Sequence, residues 1–171
     1  MSEPCTAGAP MPVIRLMDGL DAMLPFLREF FGNHGLAIDL LPLEAEIPGS
    51  YWGPPEAGLI RHTLHVRPDT PLTSLLHEAC HYLCMEMARR VLLDTDAGGD
   101  VLEECAVCYL SVLVADLVPG YSRARMLSDM DAWGYSFRLG SAAAWFEHDA
   151  EDARTWLVKQ GWLPARILRA A

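Results

Sequence analysis

The sequence predicts an α+β domain in which a small sheet precedes a group of helices. Two stretches, residues 72–88 and 100–115, are apolar on nearly every side, as is typical of helices buried in a core. Residues 59–66 alternate apolar and polar side chains, which favours a strand. Beyond Pro119-Gly120, the remaining chain again has helical patterning. We therefore expect the sheet to lie before the two apolar helices and further helices to follow them.

The elements follow in chain order, and glycine and proline mark most of their ends. Residues 1–12 are rich in proline and predict a flexible lead. Residues 17–31 predict an amphipathic helix that Pro25 kinks or divides and that ends at Gly32. The next elements are a short strand at 36–41, a loop at 42–55, the strand at 59–66 and the two apolar helices. Three further helices are predicted at 122–133, 141–147 and 150–160.

Composition limits the class of protein. A chain of 171 residues that is 51% hydrophobic predicts one globular domain over residues 1–171. A formal charge of −10 disfavours nucleic-acid binding, which needs clustered lysine and arginine. No uncharged apolar stretch reaches the length of a membrane span, and the first residues do not resemble a signal peptide. The odd number of cysteines, five, argues against a disulfide framework, so we expect a cytoplasmic protein.

The most informative segment is His77-Glu78-Ala79-Cys80-His81, an H-E-x-x-H motif inside the first apolar helix. Thr70 as N-cap and Pro71 as first helical residue predict where this helix begins. Side chains four apart share a helix face, so the two imidazoles can hold one Zn²⁺ ion. Glu78 can then act as general base towards a water. The alternative is a pair of core histidines bonded to backbone, with Glu78 in solvent.

A catalytic zinc site needs a third protein ligand. Cys84 and Met87 stand where a longer three-histidine motif needs glycine and histidine, and no histidine follows His81 until His148. A carboxylate from a later helix is therefore expected. The helix at 100–115 has two adjacent glutamates, Glu103 and Glu104, near its start.

H-E-x-x-H followed by E-x-x-A, here Glu103 to Ala106, resembles the gluzincin zinc peptidases. The resemblance covers roughly residues 58–116, and chain length makes it most similar to small cytosolic anti-repressor and radiation-response peptidases. It implies a zincin-like fold, in which a sheet edge packs on the motif helix and an antiparallel helix carries the glutamate. It also implies His77, His81 and Glu103 as zinc ligands. Val107 departs from the family, because many members have Asp or Asn four residues after the glutamate to orient a ligand histidine.

Reasoning from the helix itself leaves the choice of glutamate open. With Asp100 as N-cap, Glu103 falls at the N3 position of a capping box. In that case Glu104 is the ligand, and Cys108, one turn on, shares its face. We favour Glu103, with Glu104 as the alternative and Asp100 as a weaker third candidate.

Cysteines on the two helices suggest a rival metal site. A four-cysteine centre would use Cys80, Cys84, Cys105 and Cys108. Cys105 and Cys108 lie roughly opposite Glu103 on their helix, so the four thiols do not converge on a site that Glu103 shares. Buried free cysteines usually behave as small hydrophobes. A separate hypothesis is that the Cys84 thiolate competes for the metal.

The resemblance also implies a substrate-binding strand, because an edge strand before the motif helix pairs with extended substrate in such peptidases. That arrangement leaves His62 or His65 near the cleft. A peptidase also needs a donor for the developing oxyanion. The sequence does not choose among His148, Tyr109, Tyr121 and Tyr135; we name His148 with Glu78 as the catalytic pair.

These observations predict a zinc-dependent hydrolase, most simply a peptidase acting on a peptide or protein substrate. The alternative function is a metal-binding regulatory or interaction module on the same scaffold, with little or no catalysis. Neither nucleic acid nor membrane is an expected partner.

Overall fold

The computed structural model describes residues 12–164. The predicted flexible lead, except Pro12, and Cys5 lie outside these residues. Over the described range the chain is mixed α+β, with a three-stranded sheet and seven α-helices. The predicted α+β class is thereby confirmed at this level.

The sheet is mixed and small. Its strands are β1 (Ala37–Leu40), β2 (Gly58–Ile60) and β3 (Thr63–Val66), in the spatial order β1-β3-β2. Strand β1 runs parallel to β3, and β2 runs antiparallel to it. The prediction of one strand at 59–66 is wrong, because the chain reverses at Arg61, whose φ is 51°. The Arg61 N–H donates to the Leu93 carbonyl at 2.8 Å, so a distant segment stabilises the reversal.

Five helices are predicted after the sheet, and the described residues have six in that part of the chain, because the short helix at Met87–Leu92 was not predicted. Helix α1 passes through Pro25 undivided, and a short 3-10 turn at Leu16–Gly19 precedes it. The three predicted C-terminal helices are confirmed as α5, α6 and α7. Among residues 12–164, no helix has both the length and the apolar character that crossing a membrane requires. The helices are α1 (Leu20–Gly32), α2 (Leu72–Cys84), α3 (Met87–Leu92), α4 (Val101–Ala115), α5 (Arg123–Trp133), α6 (Ala142–His148) and α7 (Glu151–Lys159).

The motif helix is shorter than predicted at both ends. Helix α2 ends at Cys84 because Met85 and Glu86 are extended, with ψ of 138° and 149°. At its start Pro71 takes the N-cap position, so the predicted Thr70 cap is wrong by one residue. The Thr70 hydroxyl instead accepts from the Arg67 N–H at 2.9 Å, inside the preceding turn.

Helices α2 and α4 form the centre of the core. They pack against each other, and α4 also packs against α5 and α7. Ala79 on α2 and Ala106 on α4 are fully buried, as expected for small residues where two helices approach closely. The two helices that carry the predicted site residues are therefore held rigidly from several sides.

Candidate metal centre

Helix α2 brings His77 and His81 to one point, as their spacing predicts. Their Nε2 atoms lie 3.1 Å apart, and their side chains are 12% and 6% exposed. The rings meet edge to face. Both imidazoles therefore direct the same nitrogen to a single position at the surface of the core.

Glu104 of α4 completes this position. Its Oε1 lies 3.0 Å from Nε2 of His77, and its Oε2 lies 3.3 Å from Nε2 of His81. Donor atoms about 2.0–2.1 Å from a tetrahedral zinc ion lie about 3.3 Å from one another. Two imidazoles and a carboxylate also match the donor types that zinc prefers. These three residues therefore fit a metal ion in both spacing and chemistry.

Glu103, the favoured ligand from sequence, does not join the histidines. Its two carboxylate oxygens each accept from Arg89 Nη1 at 2.8 Å, and its N–H donates to the Asp100 side chain at 2.8 Å. Asp100 caps the helix, as predicted. The preference for Glu103 needs correction, because it occupies the capping-box position and pairs with Arg89 while Glu104 faces α2.

Burial keeps His81 suited to metal binding. It lowers the pKa of this imidazole to about 4, so the ring is neutral near pH 7. Only the neutral ring offers a nitrogen lone pair to a metal. Its Nδ1 is buried and has no hydrogen-bond partner among the described residues.

Glu78 lies close to the two imidazoles. One of its oxygens lies within 4.8 Å of one nitrogen of each imidazole. Burial raises the pKa of this carboxyl to about 7, and the negative charge of Glu104 adds to the shift. A carboxyl with that pKa can both take up and release a proton near neutral pH.

Two adjoining clefts meet at this cluster. They have volumes of about 360 Å³ and 220 Å³ and share Trp52, His77, Glu78 and Glu104 as walls. Trp52 is 81% exposed and lies over the cluster from the loop between β1 and β2. The larger cleft is completed by Glu56, Ser74, Trp133, Gly134 and Tyr135, and the smaller one by Tyr51, His81 and residues 95–98.

Among the predicted oxyanion donors, Tyr135 is the one that lies at the cluster. It lines the larger cleft, and its ring contacts that of His77 at a centroid distance of 5.6 Å. Burial raises the pKa of its hydroxyl, which therefore stays protonated and able to donate. The hydroxyl of Tyr121 donates to Asp129, and Tyr109 stacks on a phenylalanine ring.

The position of His148 also needs correction. Its side chain is 70% exposed at the end of α6, lines neither cleft and lies 3.5 Å from Glu147. A surface position beside a carboxylate is the ordinary one for a histidine at a helix end. The structure therefore does not bring His148 to Glu78.

The predicted substrate strand is not free to receive a substrate. The outer edge of β2 is already bonded, because Leu59 donates to Gly49 at 3.3 Å and accepts from Thr95 at 3.0 Å. His62 bonds to the Tyr82 hydroxyl and His65 to Asp39, and neither histidine lines the two clefts. The prediction of an open edge strand with a histidine near the cleft is wrong in this fold.

The cysteines are placed as separate thiols. In the described part of the chain, the groupings able to hold a metal contain no cysteine except Cys108, which joins His77 and Glu104. Cys108 Sγ lies 3.8 Å from His77 Nδ1, as expected once Glu104 faces the histidines. Burial raises the pKa of Cys84 to about 12, so it is a protonated thiol near pH 7. A Cys84 thiolate that competes for the metal is therefore disfavoured.

Sequence reasoning did not find Arg89. Besides Glu103, its guanidinium donates to the carbonyls of Ala97 and Gly98, in the segment that walls the smaller cleft. Arg89 and Glu103 are 14 residues apart on different helices. No helical spacing relates them, so a local pattern has no signal for this pair.

Comparison with known proteins adds no family to this geometry. No protein-family model, curated protein or solved structure matches the chain.

Proposed function

We propose that this protein is a zinc-dependent hydrolase on a zincin-like scaffold, and that its reaction is cleavage of a peptide bond. The observation that carries the proposal is the convergence of His77, His81 and Glu104, whose donor atoms lie 3.0–3.3 Å apart at the floor of an open cleft. A strand before the motif helix and a second helix that supplies the glutamate are the arrangement expected of a zincin-like fold.

His77, His81 and Glu104 would hold the ion. When bound, zinc supplies Lewis acidity, which polarises a carbonyl and makes a water easier to deprotonate. A protein set of three ligands leaves one tetrahedral position open, as a catalytic centre needs. The open clefts on either side give substrate and water access to that position.

Glu78 is the general base in this proposal. Its carboxylate accepts the proton of the attacking water and later delivers it to the leaving amine. Its partial burial beside the two histidines suits both steps, because a carboxyl with a pKa of about 7 exchanges a proton readily near neutral pH. Its position next to His77 on the same helix keeps its carboxylate close to the two imidazoles.

Tyr135 is the proposed oxyanion donor. Tyr135 lines the same cleft as Glu78, its ring contacts that of His77, and burial keeps its hydroxyl protonated. A fixed donor aimed at the carbonyl oxygen stabilises the negative charge that develops there. The predicted stabilisation of the oxyanion is kept, and Tyr135 takes the place of His148 as the residue that provides it.

A chain-like substrate is favoured by the shape of the site. Glu78 borders both clefts, one of which is also lined by Trp133 and Tyr135 and the other by residues 95–98. A bond in the middle of a polypeptide needs room on both sides, whereas a small molecule is usually enclosed in one pocket.

The second candidate is a metal-binding regulatory or interaction module with little or no catalysis. The observation that favours it is the occupied edge of β2, where Gly49 and Thr95 take the hydrogen bonds that an added substrate strand would use. Such a module would bind zinc as tightly as a peptidase but would cleave no peptide.

Metal analysis of matched variants tests the proposal. We expect about one zinc per chain in the wild type, retention of zinc with loss of hydrolysis in Glu78→Gln, and loss of zinc in Glu104→Ala. Glu103→Ala is the matched control, because the neighbouring carboxylate faces Arg89 and should not alter zinc content. Loss of zinc in Glu103→Ala but not in Glu104→Ala would contradict the ligand set.

Hydrolysis is measured on a broad peptide library with the zinc-loaded protein. Cleavage by the wild type that disappears in Glu78→Gln supports the peptidase. Stoichiometric zinc with no cleavage of any library member supports the module instead. A wild-type chain without stoichiometric zinc contradicts both.

A further inference from the structure

The two ring nitrogens of His77 face different groups on the same helix. Nε2 lies 3.0 Å from Glu104, whereas Nδ1 lies 3.8 Å from Cys108 Sγ. A neutral imidazole carries its proton on one nitrogen and offers a lone pair on the other. If Nε2 faces a metal, Nδ1 carries the proton, and this N–H can donate a hydrogen bond to the sulfur of Cys108.

The register of α4 makes this arrangement. Cys108 follows Glu104 by four residues, so the two side chains lie one turn apart on the face that packs against α2. Cys108 is buried, at 7% exposure. Packing therefore holds the thiol against His77 and leaves it little freedom to turn away.

We propose that Cys108 is the positioning residue of His77: its sulfur accepts the Nδ1 hydrogen bond that fixes the tautomer and orientation presenting Nε2 to zinc. The inference rests on the proposed metal centre. It also assigns a group to the role that Val107 leaves open in the sequence. Val107 is fully buried and apolar, whereas Cys108 is four residues after the glutamate that faces the histidines.

A direct role as metal ligand is disfavoured by the same geometry. The sulfur lies on the Nδ1 side of His77, while His81 and Glu104 both face Nε2. An ion bound to Cys108 through Nδ1 would leave His81 outside its shell. One ion can contact Nε2 of His77, Nε2 of His81 and the Glu104 carboxylate together, and the thiol then lies beside the opposite nitrogen of the His77 ring.

The hydrogen bonds that orient the two histidine ligands are weak or missing among the described residues. Sulfur accepts hydrogen bonds more weakly than carboxylate or carbonyl oxygen does. The corresponding nitrogen of His81 has no partner at all within residues 12–164. Because partners of this kind change metal affinity about 10- to 100-fold, we expect a zinc site that a better acceptor at position 108 would strengthen.

Zinc affinity, measured by competition with a chelator, tests the role. We expect Cys108→Ala to weaken zinc binding about tenfold and Cys108→Asp to strengthen it beyond the wild type. Cys108→Ser, which keeps an acceptor, should recover part of the loss. Cys105→Ala is the matched control, since this thiol lies on the same helix and bonds to neither histidine in the described part of the chain. Unchanged affinity in Cys108→Ala overturns the proposal.

The cobalt-substituted wild type separates positioning from ligation without any variant. A thiolate ligand gives an intense near-ultraviolet charge-transfer absorption, and we expect none. Its presence overturns the positioning role, and it decides the matter even where variants at position 108 do not fold. A wild type that binds no zinc overturns this inference together with the proposed function, whereas one that binds zinc but cleaves nothing overturns the peptidase alone.

Discussion

Two polar clusters in this molecule each contain a carboxylate, but their arrangements differ. Around Asp129, which is 1% exposed, the carboxylate accepts from the Ile14 N–H at 3.0 Å, the Tyr121 hydroxyl at 2.9 Å and Arg125 Nε at 2.7 Å. In the histidine cluster, the carboxylate of Glu104 and the Nε2 atoms of His77 and His81 converge on one position beside two open clefts.

The two clusters differ in whether their buried polar atoms have hydrogen-bond partners, and this distinguishes a structural cluster from a candidate functional one. Donors surround the acceptor at Asp129, so the cluster is complete and stabilises the fold. In the histidine cluster, by contrast, Nδ1 of His81 is buried without a hydrogen-bond partner among residues 12–164. The incomplete cluster, which also borders two clefts, is therefore the one that we propose to be functional.

The largest expected effect is on the complete cluster. Asp129→Ala leaves Arg125 without its buried partner, and removing one member of such a pair costs about 3–5 kcal/mol in the free energy of unfolding. Urea denaturation measures the loss. Glu29→Ala, an exposed carboxylate on α1, is the control and should stay within about 0.5 kcal/mol of the wild type. A comparable loss in both variants would remove the contrast between the clusters.

The next effect belongs to the incomplete cluster. Zinc at 100 times its dissociation constant should raise the free energy of unfolding by about 2.7 kcal/mol. His81→Phe should abolish this increment, yet leave the zinc-free chain as stable as the wild type, because the substitution removes an unsatisfied buried nitrogen. Denaturation with zinc and with chelator measures both. If His81→Phe strongly destabilised the zinc-free chain, the histidine would be structural.

A third effect is the pH dependence of the zinc-free chain. The pKa of Glu78 is about 7 in the folded state, above its ordinary value of 4.5, so the folded chain holds this proton more tightly than the unfolded chain. Its contribution is present below pH 4.5 and is lost as pH rises to about 7. As pH rises from 4.5 to about 7, the free energy of unfolding of the wild type should therefore decrease relative to that of Glu78→Gln.

His81 acts in the opposite direction in that experiment. The pKa of this ring is lowered to about 4 by burial, so its contribution is lost as pH falls. It is present in both chains and cancels from the difference. A difference that does not change between pH 4.5 and 7 would show that Glu78 is not held in a protonated state.

Local chemistry made much of this molecule predictable. Apolar periodicity marked the helices, and the capping role of Asp100 was read from its place before α4. The approach of His77 and His81 followed from a spacing of four residues on one helix. Each of these features depends on residues within one or two turns of one another, which is why the sequence alone suffices for them.

The choice between two neighbouring glutamates was beyond local reasoning. Helical geometry offered both, and the partner that separates them is Arg89, on another helix. The same holds for the reversal at Arg61, which a bond to Leu93 stabilises, and for the exposed position of His148. These outcomes depend on contacts between distant segments.

Local sequence patterns account for most of the helices, for the approach of the two histidines and for the chemistry that two imidazoles and a carboxylate permit. Contacts between distant segments were needed to show that Glu104 faces the histidines, that Tyr135 lies at the cleft and that Cys108 lies beside His77. The physical reason is that a helix sets which side chains share a face, whereas the packing of one helix on another sets what that face meets.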